Sequence, residues 1–88
     1  MKAIFRQSFT RDLKKVKDGA LLDRIKQAIE RVEVAQDLNQ IEDLVKLSGA
    51  SRYHRIRIGD YRLGIALHGN EVEFVRCLHR REIYRYFP

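Results

Sequence analysis

Arg55-Ile56-Arg57-Ile58-Gly59-Asp60-Tyr61-Arg62-Leu63-Gly64-Ile65-Ala66-Leu67-His68-Gly69-Asn70 alternates apolar and polar side chains and is broken twice by turn residues. A period of two puts Ile56 and Ile58 on one face of a strand and Arg55 and Arg57 on the other. Gly59-Asp60 reads as a tight reversal. Beyond it Leu63, Ile65 and Leu67 point one way and Arg62, Gly64, Ala66 and His68 the other. Gly69-Asn70 is a two-residue hairpin signal. Val72 to Leu78 supply a third strand, its alternation blurred because Phe74, Val75, Cys77 and Leu78 are all apolar. The stretch therefore predicts a three-strand antiparallel meander.

Upstream the period changes to that of a helix. Leu21, Leu22, Ile25, Ala28, Ile29, Val32 and Ala35 form a stripe opposite a charged face, which predicts a helix packed on the sheet. Phe9, Leu13 and Val16 predict a shorter helix before it, with Ser8 or Thr10 as its cap and Gly19 as its stop. Residues 2–7 read as an opening strand. Residues 41–47 read as a connector and Ser48-Gly49-Ala50-Ser51 as a turn. Helices early and strands late argue for an α+β fold. The expectation is a small single domain over residues 1–88. Its antiparallel sheet has an N-terminal strand plus the meander, with two N-terminal helices on one face. The other face carries Arg55, Arg57 and Arg62.

The chain has 88 residues, which suits one domain, and a formal net charge of +6. At 44% hydrophobic and 34% charged it reads as globular rather than disordered. No apolar run reaches the roughly 18 residues of a membrane span. Met1 to Arg6 lacks the apolar stretch of a secretory signal. A cytoplasmic location and no membrane partner are therefore expected. One cysteine, Cys77, forms no internal disulfide, and no spacing suggests a metal site or a cofactor.

The charge is unevenly placed. Residues 51–88 hold eight basic side chains, all arginine, against four acidic ones, together with all the tyrosines and histidines. Arginine offers a planar fork to phosphate and stacks on bases, so arginine interleaved with tyrosine suits RNA. Arg55 and Arg57 lie about 6.6 Å apart along one strand, and Arg62 follows on its neighbour. Such a cluster repels itself unless an anion or Asp60 offsets it. Arg80 and Arg81 add cations at the end of the last strand. Arg76 either reaches the same face or pairs with Glu71 or Glu73. His79 and Tyr84 are the proton-transfer groups beside the cluster. No Gly-rich phosphate loop, zinc-protease helix or nucleophile elbow is present. Metal-independent cleavage of a phosphodiester through the RNA's own 2′-OH fits this inventory.

R-I-R-I-G-D-Y-R-L at 55–63, followed by H-R-R-E-I-Y at 79–84 and preceded by K-L-S-G at 46–49, resembles the RelE/ParE superfamily of type II toxin–antitoxin systems, in its RelE-like branch. The resemblance implies a toxin that cleaves mRNA on the ribosome without metal and is neutralised by a cognate antitoxin. It implies site residues at Arg55, Arg57 and Arg62, at Arg80 or its neighbour Arg81, and at Tyr84. This chain has Arg55 and Arg57 where the best-known RelE pattern has lysines. Arginine does not give up its proton, so these two bind phosphate and the base is Tyr84 or His79. The resemblance also leaves open a ParE-like toxin that inhibits DNA gyrase by protein binding, and an inactive binder. The +6 charge predicts that the antitoxin is acidic.

Overall fold

A computed structural model describes residues 1–47 and 52–88. The turn expected at 48–51 lies outside the described residues. The elements run β1 (Lys2–Phe5), α1 (Gln7–Lys14), α2 (Gly19–Val34), a 3-10 turn (Leu38–Gln40), β2 (Leu44–Lys46), β3 (Tyr53–Ile58), β4 (Tyr61–His68), β5 (Glu71–His79) and α3 (Arg80–Tyr86). The α+β class and the meander β3–β4–β5 stand as expected. Gly59 and Gly69 take φ of +57° and +60° at the two reversals, the left-handed region in which a Cβ is strained.

The sheet is mixed rather than antiparallel. Its order is β1-β5-β4-β3-β2, and β1 runs parallel to β5 from Lys2↔Glu71 to Phe5↔Phe74. Strand direction here depends on α1 and α2 crossing the sheet before the chain returns, which local periodicity does not report. The connector expected at 41–47 contains a fifth strand: Leu44, Val45 and Lys46 pair antiparallel with Ile56, Arg55 and His54. Three residues are too few to display a period.

The blurred pattern of the last strand is a β-bulge. Gly64 faces Arg76 while Ile65 faces Phe74, so Val75 has no partner on β4. The extra residue lets Phe74 and Cys77, three apart, both reach the core. Neither Ser8 nor Thr10 caps α1. Instead Arg6 holds the N-cap position, because its N–H still bonds Phe74 O at the end of the β1–β5 ladder, and the helix follows at once. The Ser8 hydroxyl donates to the carbonyl of the bulged Val75 at 2.6 Å, and Thr10 Oγ1 donates to Arg6 O. Gly19 does not stop α1. It opens α2, capped by Asp18, whose Oδ1 accepts from the Ala20 and Leu21 amides.

The core lies between the helices and one sheet face. Phe9, Ile25, Ala28 and Val32 meet Ile56, Ile58, Leu63, Ile65, Val72, Phe74 and Cys77 there. Leu67, expected among them, is only half-buried. The tail was not expected to be helical, yet α3 folds back over the outer face. It buries Ile83 completely and Phe87 nearly so. Phe87 lies directly over Gly64, whose missing side chain makes the room, and meets the Tyr53 ring edge-on at 5.8 Å. The arginine-bearing face is therefore partly covered, which fixes the position of the C-terminal side chains.

Candidate functional site

The outer face of β3 and β4 carries two rows of side chains. Arg57 stands directly across from Arg62, and Arg55 across from Gly64. Four arginines from this region are each held differently. Arg62 Nη1 donates to Gly59 O (2.8 Å) and Tyr61 O (2.9 Å), so the β3–β4 turn orients its guanidinium with uncharged acceptors. Arg57 Nη2 donates to Asp43 Oδ1 at 3.0 Å. Arg80 Nε lies 3.9 Å from Asp60 Oδ1, and its backbone N–H donates to Asp60 O. The Arg55 guanidinium lies 4.5 Å over the Tyr84 ring.

Helix α3 places the remaining candidates. Arg80 and Tyr84, four residues apart, share a helix face, while Ile83 and Phe87 take the buried side. Tyr84 is 71% exposed, so its phenol is open to a ligand. His79 sits where β5 passes into α3. Its Nδ1 accepts the Arg81 N–H at 3.2 Å, and its ring meets Tyr61 edge-on at 5.7 Å. That cap leaves Nε2 available. Arg81 is exposed on the first turn of α3.

Arg76 does not join this group. It pairs with neither Glu71 nor Glu73 but with Asp12, through Nε to Oδ2 at 2.7 Å and Nη2 to Oδ1 at 3.2 Å. β1 covers β5 only as far as Phe74, so the edge beyond is open to α1. The same Asp12 Oδ2 accepts the Cys77 N–H there at 2.9 Å. The Asp12 hydrogen bond raises the Arg76 pKa above its ordinary value. Burial, then the Asp12 charge, pushes the Cys77 thiol up to about 12. Arg76 is thus a structural fork. Asp12 escaped sequence reading although a signal exists: it is an acid inside the apolar stripe of Phe9, Leu13 and Val16. Asp43, which holds Arg57, was missed because it depends on pairing through β2. Asp60 faces Arg80, not the strand arginines.

A second polar network lies at the opposite end of β4 and β5. Glu73 accepts from Arg6 Nε at 2.8 Å and lies 3.3 Å from His68 Nε2. The Arg6 hydrogen bond, with that of His68, holds the Glu73 carboxyl below its ordinary value against the opposing effect of burial.

The sequence profile of the ParE toxin family of type II toxin–antitoxin systems (parDE) matches residues 3–84. The whole chain aligns with Toxin RelE3 of Methanocaldococcus jannaschii at 44% identity over 89 residues, covering all of both proteins. The chain belongs to the RelE/ParE superfamily of type II toxins. Among solved structures, this RelE/ParE toxin matches the RelB–RelE antitoxin–toxin complex from Methanococcus jannaschii with a TM-score of 0.82 and 42% identity. The match covers 97% of this chain and 99% of the other. The YoeB dimer from Staphylococcus aureus shares the fold at a TM-score of 0.71 and 19% identity, over 90% of this chain and 95% of the other. Among its described residues the toxin has no helix long and apolar enough to cross a membrane.

Proposed function

We propose that the chain, acting as a single domain in the cytoplasm, cleaves mRNA on the ribosome and is neutralised by a cognate acidic antitoxin. The observation that carries this reading is the exposed Tyr84 phenol, held against Arg55 and sharing a helix face with Arg80. In this reading Tyr84 acts as its phenolate, whose oxygen takes the 2′-OH proton. The 2′-oxygen then attacks the adjacent phosphorus. Arg62 and Arg80 face the charge that develops on the phosphoryl oxygens, and Arg55, Arg57 and Arg81 hold flanking phosphates. His79 Nε2 is the candidate donor to the departing 5′-oxygen. The products are a 2′,3′-cyclic phosphate and a 5′-hydroxyl, and no resident metal or cofactor takes part. The likeness to a toxin solved with its antitoxin supports the partner assignment.

The test is mapping of message cleavage on ribosomes with wild-type, Tyr84→Phe and His79→Ala proteins. Loss of a general acid or base lowers the rate by about 10²–10⁴. Full activity in Tyr84→Phe refutes its role as base. The family description as a ParE toxin supports a second reading, inhibition of DNA gyrase by protein binding. Arrest of supercoiling by a protein that leaves ribosome-bound message intact would establish that reading instead.

A further inference from the structure

A cleft of about 340 Å³ opens between the C-terminal end of α1, the end of β5 and α3. It lies behind His79, which it shares with the arginine site, and the cleavage reading does not use it. Its floor is already committed: both Asp12 oxygens accept from Arg76 and the Cys77 amide. Its walls are aromatic. Tyr61 and His79 stand edge-on at 5.7 Å, and the Tyr86 ring, 49% exposed, carries the Arg76 guanidinium 5.6 Å above its centre. Polar groups on the rim are uncommitted among the described residues: the Lys15 ammonium, the Glu82 carboxylate, the Tyr61 hydroxyl and His79 Nε2.

This combination defines a ligand. The volume lies at the small end of the range for ligand pockets, about 300–1,000 Å³, so it takes one ring system rather than a length of chain. Aromatic walls favour a flat heterocycle. A carboxylate acceptor and an ammonium donor lining one cleft can meet the donors and acceptors on the edge of a nucleobase. Lys15 adds a positive charge to the cleft that His79 also lines.

We infer that the cleft holds one unstacked base of the RNA strand next to the scissile phosphate, and that Glu82 selects bases with an exocyclic amine over uracil. The inference rests on the ribonuclease reading for its substrate. Tyr86 supplies stacking, Glu82 accepts from the amine, and Lys15 faces ring nitrogens and carbonyls.

Two measurements on the full chain separate the claims. In an NMR titration, AMP, CMP and GMP should shift the Cys77, His79 and Glu82 amides. UMP should bind at least about fivefold more weakly, the lower end of what one well-made base contact discriminates. Tyr86→Ala should weaken binding at least about fivefold, as expected for loss of one aromatic–base stack, and Tyr86→Phe should restore it. Glu82→Ala should abolish the preference over UMP. Ribose 5-phosphate binding as tightly as the nucleotides, or amide shifts confined to the arginine face, overturns the cleft. In ribosome cleavage maps, Glu82→Ala should lose base preference beside the cut. Unchanged preference in that map also overturns the inference. Message left uncut by wild type refutes the ribonuclease reading, and the inference loses its substrate. Absent base binding with message still cut refutes the cleft alone.

Discussion

Gly64→Ala should loosen α3 from the sheet and weaken the site without touching any charged group. An ideal Cβ at Gly64 would lie 2.7 Å from Phe87 Cδ1 and Cγ and 2.8 Å from Cδ2. Carbon atoms pack best at about 3.5–4.0 Å, so the ring must withdraw by about 1 Å. It has little freedom to do so. Its own N–H bonds Ile83 O at 2.9 Å, and Tyr53 meets its edge. Either α3 shifts as a unit or Phe87 leaves its seat. Overpacking costs about 1–3 kcal/mol. Complete exposure of a Phe side chain costs about 1.5–3 kcal/mol, so expulsion sets a similar ceiling.

A penalty of one to two kcal/mol multiplies the undocked population about 5- to 30-fold. Hydrogen exchange at the Phe87 amide reads this directly. Its rate should rise by that factor, while the Leu63 amide in the centre of β4 should change no more than global stability does. On the proposed ribonuclease reading message cleavage should also fall, because Arg80 and Tyr84 ride on the same helix, but by less than the exchange factor, since it follows the docked fraction. Phe87→Leu in the Gly64→Ala background should recover part of the loss, with a coupling of about 0.5–3 kcal/mol. Unchanged Phe87 exchange together with an unchanged denaturation midpoint would refute the claim that this contact seats α3.

Other perturbations probe the frame around the site. Asp12→Ala strands the Cys77 amide and unpairs Arg76; it should cost about 2–4 kcal/mol in urea unfolding, with Asp12→Asn intermediate because it keeps an acceptor. Glu73 has a lowered folded-state pKa, so its contribution is present above the ordinary carboxylate range and lost as pH falls through the folded value. Glu73→Gln should therefore flatten the acid limb of the stability curve below about pH 4, and superposable curves would contradict the Arg6–Glu73 argument. Cys77, buried with its thiol pushed up to about 12, should react with an aromatic disulfide reagent at pH 8 only as fast as the chain unfolds. Asp43→Asn releases Arg57 and should change stability by less than about 1 kcal/mol. It should also tighten single-stranded RNA binding by no more than about fivefold at fixed salt, because the phosphate no longer has to displace a carboxylate from Arg57.

The meander was legible because two physical signals coincide there. Residues 55–58 and 61–68 each keep a period of two, and Gly59 and Gly69 sit where positive φ is required. The α2 stripe was legible because its apolar positions span four turns. The remainder failed for identifiable reasons. A bulge at Val75 shifts the apolar phase of β5 midway. The β1–β5 pairing joins residues about seventy positions apart. Helix α3 has seven residues, too few to show an apolar stripe once Ile83 and Phe87 are removed from a run of charges and aromatics. Of the candidate site, the strand arginines could be named from residue type and strand phase, and Arg80 and Tyr84 from the family resemblance. The difference between Arg76 and the other arginines could not, since it depends on β1 ending at Phe74 and leaving Asp12 to bind the open edge.

The way each arginine is held bears on what this face can bind. Asp43 and Asp60 hold Arg57 and Arg80 by exposed ion pairs, which are worth about 0–1 kcal/mol. An incoming phosphate displaces such partners cheaply. Arg62 is different: two backbone carbonyls orient it and leave its charge unbalanced. Arg55 is oriented by a ring, again without neutralisation. The face therefore combines two fixed, uncompensated cations with two that are released when an anion arrives. Such a surface does not distinguish RNA phosphates from the carboxylates of an acidic protein by charge. On the proposed ribonuclease reading geometry makes the distinction, because RNA brings a 2′-OH to Tyr84 and a protein does not. On that reading an acidic segment laid over Arg55 and Arg62 would occupy the same charges with nothing to cleave, so one patch of arginine would serve both a substrate and its inhibitor.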